Sequence, residues 1–345
     1  MASPSHHAAR RRDSRTTHHS ETALDQLVAT ALVTTGSTPT STTPLHPVSQ
    51  KSYIHPMSSF TDPLEPTTLR LRGVDGLTLV ADSFGPTDGQ LVVMLHGGGQ
   101  TRHSWKRTGR ALAAQGMRVV AVDARGHGDS DWSPTRDYSR DTMVADLDAI
   151  LAQLGATAEA GAVVVGASMG GITGLMATAT PGGAAIRALV LVDIVPRSET
   201  AGVARVMDFL GRHRDGFDTL DQVADAVAAY MPHRPRPDSA DGLLRNLRQR
   251  EGRWYWHWDP DLITDVDANP EGRIEEMEAA AAALTIPVLL VRGGKSDVVS
   301  DEGAAAFLAL APHARLAEIG TAAHTAAGDD NDAFTDAVAG FVATA

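Results

Sequence analysis

The segment Gly161–Gly171, GAVVVGASMGG, constrains this chain more than any other. Ala162–Val165 is a short apolar run suited to a buried strand, and Gly166-Ala167-Ser168-Met169-Gly170 follows it without a spacer. Ile172–Ala177 then reads as the first turns of a helix. A strand that turns directly into a helix holds its central residue in strained backbone angles and lifts that side chain over the end of the sheet. Gly166 and Gly170 keep the space beside Ser168 free of side chains. A glycine-rich turn with a helix-capping serine would satisfy the same pentapeptide, so the rest of the chain must decide between a cap and a nucleophile.

The surrounding pattern is regular from Thr68 onward. Leu69–Val74 and Leu77–Phe84 predict two strands about an Asp75-Gly76 turn. Leu91–Leu95, Met117–Val122, Ile186–Val192, Ile286–Val291 and Leu316–Ile319 are further strand-sized apolar runs. Helical stretches fall at Trp105–Gln115, Thr142–Leu154, Ala304–Leu310 and Ala333–Val342. Apolar runs without alternation, separated by helices, imply an α/β fold: a mostly parallel sheet covered on both faces.

One connection breaks the rhythm. From Pro196 to Leu284 the chain is too long for an ordinary link between helix and strand, and it reads as a helical lid inserted at about 196–284. Val203–Leu210, Leu220–Ala229 and Gly272–Ala283 are its helical segments. Trp254, Trp256 and Trp258 alternate with Tyr255 and His257, so an extended backbone would place the tryptophans on one side. With Met207 they are candidates to line a substrate entrance; pinning the lid to the core is the competing role. Residues 1–66 are rich in Ser, Thr, His and Pro and read as a disordered extension, with helical patterning at Glu21–Val33. The folded domain is expected over 67–345.

Composition excludes several classes. A formal net charge of −12 argues against a nucleic-acid partner, which would call for a basic face. The absence of cysteine rules out thiol catalysis and disulfides and fits a cytoplasmic protein. No apolar stretch is long enough for a membrane-spanning helix, and the oligomeric state is unconstrained beyond allowing a homodimer.

A serine hydroxyl becomes a useful nucleophile when a histidine takes its proton and an acid fixes the histidine tautomer. His324 lies just past the last predicted strand and before the terminal helix, where a loop can bring it to Ser168. Asp297, directly after the strand Ile286–Val291, occupies the place of the acid in the order Ser, Asp, His; Asp193, at the end of Ile186–Val192, is the rival. The oxyanion donors expected are the backbone N–H of Met169 and that of Gly98 in the glycine turn Gly97–Gly99. That turn lacks the Gly-Lys-Ser/Thr ending of a phosphate loop, no dinucleotide fingerprint is present, and no histidine pair has metal-ligand spacing. No cofactor and no metal are therefore expected.

These residues together resemble the α/β-hydrolase superfamily over roughly residues 68–345, in particular its lidded branch of serine esterases, lactonases, carbon–carbon hydrolases and cofactor-free haloperoxidase-like enzymes. The resemblance rests on His96-Gly97-Gly98 followed by Trp105, on Asp123-x-Arg125-Gly126-His127-Gly128-x-Ser130, on the Ser168 turn, and on Gly293–Asp297 and His324. It implies an eight-stranded sheet with a lid and a Ser168–Asp297–His324 triad. Gly98 and Met169 would form the oxyanion hole, and the substrate would be a small hydrophobic ester or lactone cleaved through an acyl-enzyme. Carbon–carbon hydrolysis, a haloperoxidase-like perhydrolase reaction and a non-catalytic ligand receptor are the alternatives. Relatives often carry an aromatic residue at position 98, so glycine there implies a differently shaped acyl pocket.

Overall fold

The computed structural model describes residues 64–232, 234, 236, 241–263, 270–320, 322–324 and 331–345. The segment Glu21–Val33 and nearly all of the N-terminal extension lie outside the described residues. Strand β1 (Thr67–Arg72) and β2 (Thr78–Phe84) pair antiparallel around Asp75 and Gly76, at φ 60° and 76°. Then come β3 (Leu91–Leu95), α1 (Lys106–Ala114), β4 (Arg118–Val122), α2 (Arg140–Gln153), β5 (Ala162–Ala167), α3 (Met169–Ala177) and β6 (Ile186–Val192). The insertion carries α4 (Thr200–Gly211), α5 (Leu220–Tyr230), a hairpin of β7 (Leu247–Arg250) and β8 (Arg253–Trp256), and α6 (Pro270–Ala282). β9 (Val288–Gly293), α7 (Asp301–Leu310), β10 (Arg315–Ile319) and α8 (Asn331–Val342) complete the domain.

The main sheet has eight strands in the order β1-β2-β4-β3-β5-β6-β9-β10. Its first two pairings are antiparallel and the rest parallel. All of β3 is buried, which explains a run with no polar alternation. Within each central strand the residues still part to two faces. Val93, Val164 and Leu191 pack with Leu147, Leu175 and Phe307 on one side. Val92, Val165 and Val190 pack with Trp105, Leu112 and Phe334 on the other.

The insertion divides differently from the expectation of a lid over 196–284. Leu210, Phe217, Val223, Val227, Leu247, Trp256 and Trp258 form a small apolar cluster of their own. Met277, Ala280 and Ala281 of α6 instead join the main core beside α3 and α7. The compact lid therefore comprises α4, α5 and the β7–β8 hairpin, and α6 is a helix of the core. Its small-residue face, rich in alanine, permits that close approach.

The turn after β4 is fixed by a buried ion pair. Arg125 is fully buried, and its Nε and Nη2 donate to the two carboxylate oxygens of Asp146 on α2 at 2.6 and 2.8 Å. Its Nη1 donates to the carbonyl of Asp137 at 3.1 Å, and Asp146 also accepts the Val74 amide at 2.8 Å. A charge left unpaired at such a site is costly because the interior cannot rehydrate it. Asp146→Asn preserves volume and removes the counter-charge. It should lower unfolding free energy by about 3–5 kcal/mol in urea titration; a loss below about 1 kcal/mol would show that the pair is dispensable.

Candidate active site

The strand–helix turn has the strained geometry anticipated from its sequence. Ser168 sits at φ 45°, ψ −111°. A Cβ on Gly166 would lie 2.3 Å from the Gly170 carbonyl oxygen, and one on Gly170 would lie 2.5 Å from that of Leu95. Both glycines are thus imposed by backbone contact. The Ser168 amide donates to Val192 at the end of β6 (3.1 Å), and its carbonyl accepts the Ile172 amide at 2.9 Å. The serine is held by its own backbone, which leaves the side chain free for chemistry.

His324 meets Asp193, and Asp297 lies elsewhere. The His324 Nδ1–H donates to Asp193 Oδ2 at 2.8 Å. Asp193 is fully buried, at φ 50°, directly after β6. Its Oδ1 accepts the Gly293 amide at 2.9 Å and its Oδ2 the Ser296 hydroxyl at 2.5 Å. Three donors therefore surround one carboxylate and fix its orientation. Asp297 instead takes a two-pronged pair from Arg205 of α4, Nε to Oδ2 at 2.6 Å and Nη2 to Oδ1 at 2.8 Å. Arg205 holds the Asp297 carboxyl below the usual carboxylate range. The expectation that Asp297 would orient His324 is corrected: its side chain is committed to the lid, and the neighbouring strand supplies the carboxylate.

The two amides expected at the oxyanion hole are available. Among the described residues, no hydrogen bond occupies the N–H of Gly98 or of Met169. The Gly97–Gly98 turn lies close above the nucleophile turn, since a Cβ on Gly97 would be 3.4 Å from Ser168 Cβ.

A cavity of about 360 Å³ opens at this point, bordered by Ser168, His324, Gly98 and Met169. Ile172, Ile194, Val206, Met207 and Leu210 give it a largely apolar wall. The three tryptophans do not border it. Trp256 and Trp258 are buried and stacked, ring centres 4.8 Å apart, and Trp256 meets Phe217 edge-on at 5.1 Å. Trp254 packs against the same lid cluster. The alternation seen in the sequence is genuine, but the β7–β8 pairing turns it toward the lid interior. Leu262 and Ile263, which line the cavity, were missed in the sequence because nothing local sets them apart.

Residues 90–330 match the model of the alpha/beta hydrolase fold family. The chain belongs to the α/β-hydrolase family. An esterase of Mycobacterium tuberculosis is 30% identical over 269 residues, covering 73% of this chain and 83% of that protein. A mouse sn-1-specific diacylglycerol lipase is 30% identical over 268 residues, 73% of this chain and 80% of its own. An α/β hydrolase from Novosphingobium aromaticivorans superposes with a TM-score of 0.69 at 25% identity, covering 81% and 98% of the two chains. This α/β-hydrolase is thus an enzyme, with the fold and family that its motifs implied. Among the described residues no helix is long and apolar enough to cross a membrane.

Three histidines surround the glycine turn of the hydrolase, and burial drives each toward its neutral form. Burial lowers His96, and burial together with repulsion from His96 and His257 lowers His127 well below the ordinary range. His257, from the lid, is pushed down to about 3 by burial and then by His96. Unfolded histidines take up protons below about pH 6.5, whereas folded His257 stays neutral to about pH 3. The unfolded state binds more protons across that window, so stability rises with pH through it. From pH 7 to pH 5 His257 alone should cost about 2 kcal/mol. Calorimetry should record a falling Tm over that range and a smaller fall in His257→Gln; identical slopes would refute the assignment.

The two carboxylates make opposite predictions. Asp193→Asn should leave the fold intact and reduce turnover by about 10⁴-fold, because the imidazole loses its oriented partner. Asp297→Asn weakens an ion pair that is more than a third exposed, worth below about 1 kcal/mol, and should keep turnover within severalfold. Steady-state rates of the two variants decide it, and the reverse ranking would restore Asp297 as the acid.

Proposed function

We propose that this α/β-hydrolase cleaves carboxylic esters, lactones among them, through an acyl-serine intermediate. The observation that carries this reading is the Asp193–His324 pair at one cavity with Ser168 on its strained turn and two unoccupied amides. His324 takes the Ser168 proton as Oγ attacks the substrate carbonyl, and the N–H groups of Gly98 and Met169 receive the negative oxygen. Asp193 keeps the Nδ1 proton in place and supports the imidazolium that forms. Collapse of the tetrahedral adduct expels the alcohol, which takes its proton from His324. Water, deprotonated by the same imidazole, then attacks the acyl carbon and frees Ser168.

The cavity also bounds the substrate. About 360 Å³ lies near the small end of the range of roughly 300–1,000 Å³ usual for ligand sites. Apolar walls favour an apolar acyl or alcohol group, whose transfer from water contributes about 0.8 kcal/mol per buried methylene. Short and medium acyl chains fit this volume better than long ones. The names of the relatives, an esterase and a diacylglycerol lipase, support ester chemistry, and the cavity favours the smaller substrates.

A p-nitrophenyl ester series from acetate to palmitate, run beside a lactone panel, tests the proposal. Turnover should peak at short to medium chains, a fluorophosphonate should add to Ser168 alone by intact mass, and Ser168→Ala should abolish both. Turnover of dienol diketones only would transfer the assignment to carbon–carbon hydrolysis. No adduct and no turnover would defeat the catalytic reading altogether.

A further inference from the structure

The glycine turn that carries the Gly98 amide is gripped plane by plane. His96 Nδ1–H donates to the Gly97 carbonyl at 2.8 Å, holding the peptide that bears the Gly98 N–H. The next peptide is held by His127, whose Nε2 accepts the Gly99 amide at 3.2 Å. The third is held from the lid, where His257 Nε2 faces the Gly99 carbonyl at 3.2 Å. Backbone partners fix each tautomer. Ala124 donates to His96 Nε2 at 3.0 Å, and His127 Nδ1–H donates to the Arg125 carbonyl at 3.0 Å. Gly128 donates to His257 Nδ1 at 2.8 Å, so the His257 proton resides on Nε2 and points at Gly99.

The polarity of these bonds is complementary. His127 accepts from the N–H of Gly99 while His257 donates to its carbonyl, so one residue is clamped on both sides. Gly99 lies at φ 73°, a conformation with no side chain to stabilise it. The lid covers it further: a Cβ at Gly99 would fall 2.6 Å from Leu210 Cδ2 and 3.3 Å from the Trp258 ring. The Trp258 indole N–H in turn donates to the Leu210 carbonyl at 3.2 Å. Two of the three gripping imidazoles belong to the core and follow the shared motifs; the third arrives from 158 residues away, with the lid.

We propose that His257 is a positioning residue for the oxyanion turn, through which a seated lid sets the direction of the Gly98 amide. The inference rests on the acyl-serine reading given above. An oxyanion donor acts only when aimed at the position that the negative oxygen will take, and a displacement near 1 Å at a reacting group costs on the order of 10²-fold. Releasing the third peptide plane loosens Gly99 and, through it, the Gly98 N–H. The loss falls on the transition state, where the charge exists, and spares ground-state binding.

The test uses two isosteres in the full chain. The glutamine amide nitrogen reaches the position of Nε2 and still donates to Gly99, whereas the asparagine amide covers Nδ1 alone. His257→Asn should lower kcat by about 10- to 100-fold with KM within about threefold. Its affinity for a trifluoromethyl ketone, which forms a tetrahedral adduct with the serine, should weaken in parallel. His257→Gln should restore most of kcat. Equal kcat for the two variants, or a loss confined to KM, would overturn the proposal. A second measurement needs no variant: nitrogen-15 shifts of His257 in the wild-type protein should report the Nε2–H tautomer, and an Nδ1–H tautomer would overturn it as well. Absence of ester turnover in the wild type sinks the ester reading and this inference with it. Wild-type turnover alongside matching variants sinks the inference alone.

Discussion

The backbone bond from Ser168 N–H to the Val192 carbonyl is the contact on which the rest of the site depends. It continues the β5–β6 ladder one step past the last paired residues, Ala167 and Val192. The same step repeats at the next strand, where the Asp193 amide donates to the Val291 carbonyl at 2.7 Å. Ala167 and Val192 are register partners, so Ser168 and Asp193 leave neighbouring parallel strands at the same level. Parallel strands bring equivalent ends to one edge of the sheet, and chemistry collects there. His324, from the loop after β10, needs only to reach back across β9 to meet a carboxylate already pinned by the Gly293 amide and Ser296.

That arrangement explains which parts of the enzyme could be read from its sequence. The sheet was legible because its central strands are buried on both faces and therefore appear as nearly unbroken apolar runs. That Ser168 and His324 meet at one cavity was legible because each has a local signature or a place in chain order. The acid was not. Asp193 and Asp297 each follow a strand on the same sheet edge, and local sequence gives both the same standing. What separates them is Arg205, 92 residues before Asp297, which takes that carboxylate for the lid. A choice made by a distant cation leaves no trace near the carboxylate itself.

The tryptophans teach the same lesson in the lid. Alternation says that Trp254 and Trp256 share a side of a strand, but it cannot say what lies on that side. The pairing of β8 with β7 and the approach of α4 decide it, through Phe209, Phe217 and Leu210. Helix α6 differs for a related reason: it lies within the insertion in sequence, yet its Met277, Ala280 and Ala281 join the core of the sheet. Boundaries drawn by chain position follow connectivity, whereas cores follow contact.

The lid is held to the sheet by two kinds of force with different consequences. Ion pairs such as Arg205 with Asp297 are partly exposed, and pairs of that type contribute about 0–1 kcal/mol and weaken with salt. Apolar contact does more: Leu210 and Trp258 press on the glycine turn while their other faces belong to the lid cluster. That cluster is small beside the core, and regions with few buried contacts open before the rest of a protein does. Ser168 and Asp193, in contrast, are held by strands of the main sheet and stand apart from that cluster. Leu210 of the lid also covers the turn that bears the Gly98 amide. The candidate reacting groups therefore sit at the end of the sheet, while part of the cavity wall, Val206, Met207 and Leu210, and one support of the glycine turn come from the lid.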